Sequence, residues 1–424
     1  MNEYLLQYLW KHALFTPHSL KTTDNEPVTV IKPGTHNQHA GPDFLEATIK
    51  IGNTTWIGNV EIHLRTSDWL RHQHEQNPNY QNLVLHVVYE DDFTLAVCNF
   101  PTLELKDNLP EALIERYRSM MTTVDPVPCA AQLPGISDMV WYNWLERLLA
   151  ERWEEKQDTW KQLWGRTANN WRTMLYYFLA ANFGFHTNKE PFLQLALSLP
   201  LAILTRHRKN LVQTEALLLG QAGLLQSVDR ADDYTIRLET EYHFLRRKYN
   251  LEPINPLLWK FMRMRPANFP TIRIAQFAML VHTAIELFAK MMEIKDADTL
   301  FKMLDIKASG YWDTHYRLGH KVAEAKPKRL GHQAIHNILI NTVAPMQYFY
   351  AKMQGKDGLH QSSLQLLSGL APEQNAILKR WASVGRVAQD AVQSQAMLQL
   401  YHRYCVPKRC LNCSVGHQLL RKAE

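Results

Sequence analysis

No stretch of this chain reaches the eighteen or so uninterrupted apolar residues that a membrane helix needs, and its opening, MNEYLLQYLWKHALF, is too polar for a secretory leader. A cytosolic chain with no membrane partner is the expectation. Cysteine is scarce, five in 424 residues, and three of the five stand at 405, 410 and 413. In a reducing compartment such clustering argues for metal rather than disulfides. The charge excess is small, +6 with an isoelectric point near 8.9, compatible with a polyanionic partner but far from a histone-like composition. No repeat of fixed period stands out. Leu217 to Gly223 (LLLGQAG) has neither the spacing nor the lysine of a phosphate loop, so its small residues read as close helix packing. What is present is ordinary for a globular chain of two or three domains, 46% hydrophobic and 21% charged.

The chemistry is concentrated between Gly41 and Asp92. Two β-branched apolar runs, Phe44 to Ile51 and Thr55 to Leu64, flank the hairpin dipeptide Gly52-Asn53. Ser67-Asp68 then caps a helix over Trp69 to Glu75, Asn77-Pro78-Asn79 stops it, and Leu83 to Tyr89 is a third strand. Ahead of them come an amphipathic helix over residues 2 to 15, with Glu3 near its start, and a strand over Val28 to Ile31. Side chains two apart share a strand face, so Glu61 and His63 point together. Asp43 opens the neighbouring strand, where in-register pairing lets it converge on both, with the Ile62 carbonyl nearby. Two acids and a carbonyl suit Mg²⁺ or Mn²⁺. The polar loop from Thr35 to His39 brings His36 and Asn37 beside Asp43 as substrate contacts. His72 and His74, two apart on the expected helix, fall on different faces and do not both serve one metal. His86, inside an apolar strand, reads as a hydrogen-bonded core histidine.

Pro42-Asp43, seventeen intervening residues, then Glu61-Ile62-His63 resembles the PD-(D/E)XK nuclease superfamily. The resemblance implies a mixed sheet with flanking helices, Asp43 and Glu61 as ligands of a divalent ion, and hydrolysis of a phosphodiester, with DNA the expected polymer. His63 stands where the superfamily has a lysine that helps activate the attacking water. A neutral imidazole can be a base or a ligand but not a fixed positive charge. Two rival readings follow: a nucleic-acid-binding protein that keeps the fold without turnover, and a zinc hydrolase holding its ion on His63, His86 and one of His72 or His74. The segments NQHAGPDF (37 to 44), GNVEIH (58 to 63), Ser67-Asp68-Trp69, Leu85 to Val88, Arg265-Pro266, Asn268 to Pro270 and Cys405 to Gly416 are also similar to a bacterial family known as domain of unknown function 2851. That family carries no stated activity.

The Pro-rich connection from Val124 to Pro134, which holds Cys129, is the best domain boundary. Beyond it, three-to-four spacing of apolar residues predicts helices only. The expected fold is therefore α+β: a PD-(D/E)XK-like domain over 1–125, a larger all-α domain over 135–404 and a Cys-rich tail over 405–417. Within the helical part, Lys260, Arg263, Arg265 and Arg273 form a basic cluster. It either grips a backbone phosphate, through Arg265 and Arg273, or is a solvated loop. In the tail, Cys405, Cys410 and Cys413 have the spacing to close around zinc or an iron–sulfur cluster, with Cys129 or His417 as fourth ligand. Cys129 is preferred, an arrangement similar to the iron–sulfur staple of some nucleases of the same superfamily. Cys98 reads as an inert buried thiol.

Overall fold

A computed structural model describes residues 1–421 apart from 75–76, 96–98, 227, 285–287 and 356. Cys98 lies outside the described residues. The chain divides into two compact units, one of Met1–Trp144 with Leu400–Glu424 and one of Leu145–Gln399. The division falls within the helix Asp138–Arg166 rather than in the Pro-rich connection, and the chain from Leu400 onward belongs to the first unit.

The first unit is built on a mixed sheet. Its strands are β1 (Val28–Lys32), β2 (Thr35–His36), β3 (Phe44–Ile51), β4 (Thr54–Arg65), β5 (Leu83–Glu90) and β6 (Thr102–Glu104), in the order β1-β3-β4-β5-β6 with β2 paired to β3. The β1-β3-β4 meander is antiparallel, and β4, β5 and β6 run parallel. Gly52, at φ +56°, makes the β3-β4 turn that its sequence called for. Between Phe44 and Ala47 the β3-β4 register slips at a bulge where Glu46 is left-handed. Phe44 pairs with Val60, which puts Asp43 beside Glu61 at the end of the ladder.

Phe44, Ile49, Val60, Ile62, Leu85 and Val87 form one apolar face, closed by Leu6 and Trp10 of helix α1 (Glu3–Lys11). Asn2 caps α1 by accepting the Leu5 N–H at 2.9 Å, and the Trp10 indole donates to the Pro33 carbonyl. Burying each such side chain stabilises the unit by roughly 1.5–3 kcal/mol. Because strand side chains alternate, filling this face with Val60 and Ile62 turns Glu61 and His63 to the other. Helix α2, expected to reach Glu75, spans Asp68–Arg71, and Gln73 follows in a left-handed conformation.

The second unit is helical except for the short hairpin His315–Arg317 and His320–Lys321. Its helices Leu211–Gln221 and Asp233–Tyr249 approach so closely that a Cβ on Gly220 would collide with the Tyr242 ring. That is the close packing expected of the small residues there. Toward the end of the unit Ala376–Ser383 and Ala391–Leu400 are separate helices, with Gly385 left-handed between them.

Candidate metal centre

Asp43 and Glu61 are cross-braced at the end of β4. Glu61 Oε2 accepts the Asp43 N–H at 2.9 Å, and Asp43 Oδ2 accepts the Ile62 N–H at 3.1 Å. Helix α1 overlooks the pair: Gln7 hydrogen-bonds Asp43, and the charge of Glu3, one turn earlier on the same helix face, acts on both carboxylates. The Tyr80 hydroxyl donates to Glu61. Burial is the main cause that raises both pKa values, and each acid is raised further by neighbouring carboxylates. At neutral pH the pair therefore retains a proton unless a cation replaces it.

On the other side of Glu61 stand three imidazoles. Glu61 Oε1 lies 3.5 Å from His63 Nε2 and 3.3 Å from His74 Nε2, and His63 Nε2 lies 3.1 Å from His72 Nδ1. One nitrogen from each of His63, His72 and His74 falls within 4.8 Å of the other two. A tetrahedral ion bound at about 2.0–2.1 Å holds its ligand atoms roughly 3.3 Å apart; the His63–His72, Glu61–His74 and Glu61–His63 separations are of that size, and the remaining imidazole pairs lie within 4.8 Å. His74 Nε2 is buried and has no hydrogen-bond partner. Burial, reinforced by His86, His72 and His74, pushes His63 down to about 2, and burial lowers His74 as well. Neutral imidazoles beside a buried carboxylate form a donor set for a divalent ion.

His72 and His74 thus share one point with His63, against the expectation that helical phase would separate them. The helix ends at Arg71, so that phase does not apply, and the left-handed Gln73 turns the chain between the two rings. His86 pairs with Glu61 in the β4-β5 ladder, and its Nε2 meets His63 Nδ1 at 2.9 Å, behind the cluster rather than in it. Burial lowers its pKa to about 4. Trp69, 2% exposed, packs its indole against His63, His74, His86 and Phe100. Gln7 and Tyr80 escaped the sequence reading. Only the i, i+4 offset of Gln7 from Glu3 could have signalled the first.

Asp43 opens onto a cleft of about 950 Å³ that His36 and Asn37 also line. Arg265 and Arg273 belong to the second unit. Arg265 is exposed, whereas Arg273 is buried, bonded to Gln276 and Asn268 and stacked over Phe185, and so presents no surface cation to a phosphate.

The C-terminal cysteines sit in the first unit. Cys129, Cys405, Cys410 and Cys413 are all buried and unpaired by disulfide; burial raises every thiol, and the charge of neighbouring cysteines raises Cys129, Cys405 and Cys410 further. The backbone N–H groups of Val415 and Gly416 point at the Cys413 sulfur. His417 is engaged elsewhere, its Nδ1 2.7 Å from the Tyr8 hydroxyl. Cys129 lies close enough to the tail that Cys410 and Cys413 act on its charge and it acts on that of Cys405. Among the described residues, the donors gathered within 4.8 Å are those of His63, His72 and His74, so the four sulfurs are more widely spread. A single zinc would draw them in to about 3.8 Å.

The first unit is thus a mixed α+β domain with a carboxylate–histidine centre, and no described helix is long and apolar enough to cross a membrane. A family model described as protein of unknown function (DUF2851) matches residues 3–376, and the chain belongs to that family. Neither the curated proteins nor the solved structures contain a match.

Proposed function

We propose that the first unit is a divalent-metal-dependent hydrolase of phosphodiester bonds in nucleic acid, with DNA the expected polymer. One observation carries the reading: Asp43, half-buried, and Glu61, buried, are braced together and short of positive charge, beside imidazoles held neutral. A divalent cation relieves that arrangement and supplies Lewis acidity to a phosphate and to a bound water. The antiparallel meander, the helix and the parallel β5 support a PD-(D/E)XK-like fold, with Asp43 and Glu61 in the places of its two acids.

Glu61 offers its two oxygens to two donor sets. Oε2 faces Asp43, which suits Mg²⁺ or Mn²⁺, and Oε1 faces His63 and His74, whose grouping with His72 supports a second reading with Zn²⁺ or Mn²⁺ on the three imidazoles. His63 is too weak a base to take a proton from water unaided, and with His86 on Nδ1 its Nε2, 3.1 Å from His72 Nδ1, is the nitrogen that would bind an ion. The four thiols would hold a separate structural zinc or iron–sulfur centre, away from the reacting atoms.

Protein stripped with EDTA and reloaded with Mg²⁺, Mn²⁺ or Zn²⁺ tests the reading on labelled oligonucleotides. Cleavage with Mn²⁺, lost in Glu61→Gln and Asp43→Asn, is expected. Activity with zinc alone, abolished in the double variant His72→Ala, His74→Ala, selects the second donor set. Binding without cleavage under every ion sinks the hydrolase reading.

A further inference from the structure

The cleft beside Asp43 has a wall that no motif announced. One side is α1, with Tyr4, Lys11 and His12. The cysteine loop also lines it, through Lys408 and Arg409. Asp43 is the single acid in the lining. The Lys408 ammonium is bound to the carbonyls of Met121 and, at 2.9 Å, Thr123, so it braces the loop. Lys11 and Arg409 are exposed to the cleft space. Burial keeps His12 near 4 and lowers His36, so at neutral pH the positive charge there comes from lysine and arginine.

The aromatic lining is the second observation. Tyr4 is 69% exposed, and Tyr117 and Tyr404 also border the cleft. An exposed ring costs solvation and gains it back by stacking on a planar partner. In a duplex, base faces are already stacked on one another. In an unpaired strand they are free, and rings between cations are the usual platform for it.

We propose that this cleft binds unpaired nucleic acid, with Arg409 and Lys11 on successive phosphates and Tyr4 under a base, and leads the strand to Asp43. The cysteine loop then has a purpose in binding as well as in folding: it fixes Arg409 in the cleft that α1 also lines. This names the form of polymer for the hydrolase reading and rests on it for direction of travel, but binding itself is separable from turnover.

The test is fluorescence anisotropy with a short labelled oligothymidylate and a duplex of equal length, in EDTA so that no cleavage occurs. The single strand is expected to bind at least tenfold tighter than the duplex. Lys11→Gln and Arg409→Gln should each flatten the slope of log K against log salt by ~0.7, the value for one single-strand phosphate contact. Tyr4→Ala should weaken binding about tenfold, within the range for loss of one stacked base, with the salt slope unchanged. Asp43→Asn should bind at least as tightly as the native chain while failing to cleave. Equal affinity for duplex, or wild-type affinity in the Lys11→Gln, Arg409→Gln double variant with its fold intact by circular dichroism, overturns the proposal. Loss of cleavage alone leaves binding as evidence for the cleft and counts only against the hydrolase.

Discussion

Glu61→Gln is expected to stabilise the metal-free protein and to remove its response to metal. In an unfolded chain a glutamate has released its proton well below pH 8, but burial and the neighbouring Asp43 raise the pKa of Glu61 in the folded state. The folded state therefore binds more protons. Its stability is highest below the ordinary glutamate pKa of 4.5 and is lost as pH rises toward the raised value. Each pH unit inside that window costs ~1.4 kcal/mol, and with partial solvent access the total by pH 8 is about 2–4 kcal/mol. Glutamine is neutral in both states and still accepts the Asp43 N–H, so it escapes this cost. Scanning calorimetry in EDTA should show Tm higher in the variant by roughly 5–10 °C at pH 8, with the gap closing by pH 4. Metal at a hundred times its Kd should add about 2.7 kcal/mol to the native protein and almost nothing to the variant. A metal-free variant less stable than native at pH 8, or equal gains from metal in both, would refute the reasoning.

Three further outcomes are expected. His86→Ala removes the partner of His63 Nδ1 and should weaken metal binding 10- to 100-fold by titration calorimetry, without removing any ligand. Cys129→Ser should strip the zinc or iron found by elemental analysis from the tail, whereas His417→Ala should keep it and lose the hydrogen bonds to Tyr8 and Arg421, about 1–2 kcal/mol in urea unfolding. Leu85→Ala, emptying a fully buried position in the sheet core, should cost 2–5 kcal/mol in the same assay, with the spread set by how far the core can collapse.

The sheet was legible because its signals are local. Alternating β-branched residues either side of Gly52-Asn53 place β3 within its observed bounds and β4 within a residue of them. The partnership of Asp43 with Glu61 follows from that register even though a bulge intervenes at Glu46, because Phe44 and Val60 still pair beyond it. The histidine cluster was not legible for the opposite reason. Its geometry depends on a helix ending at Arg71 and on one left-handed residue, Gln73, neither of which has a glycine or proline to mark it. Arg273 shows another limit. Its sequence neighbours advertise a basic surface, but its guanidinium is buried and held from inside by Asn268 and Gln276, and composition does not distinguish an arginine facing inward from one facing out.

The first unit takes its sheet from the start of the chain and one wall of its cleft from residues near 409, with a complete helical unit encoded between them. During synthesis the acids at 43 and 61 emerge long before Arg409 does. A chain cut short inside the helical stretch would carry both acids but lack Lys408, Arg409 and the three cysteines of the tail. If the proposed strand binding holds, such a fragment would be missing one wall of its grip, so that binding would wait on the last residues to be translated.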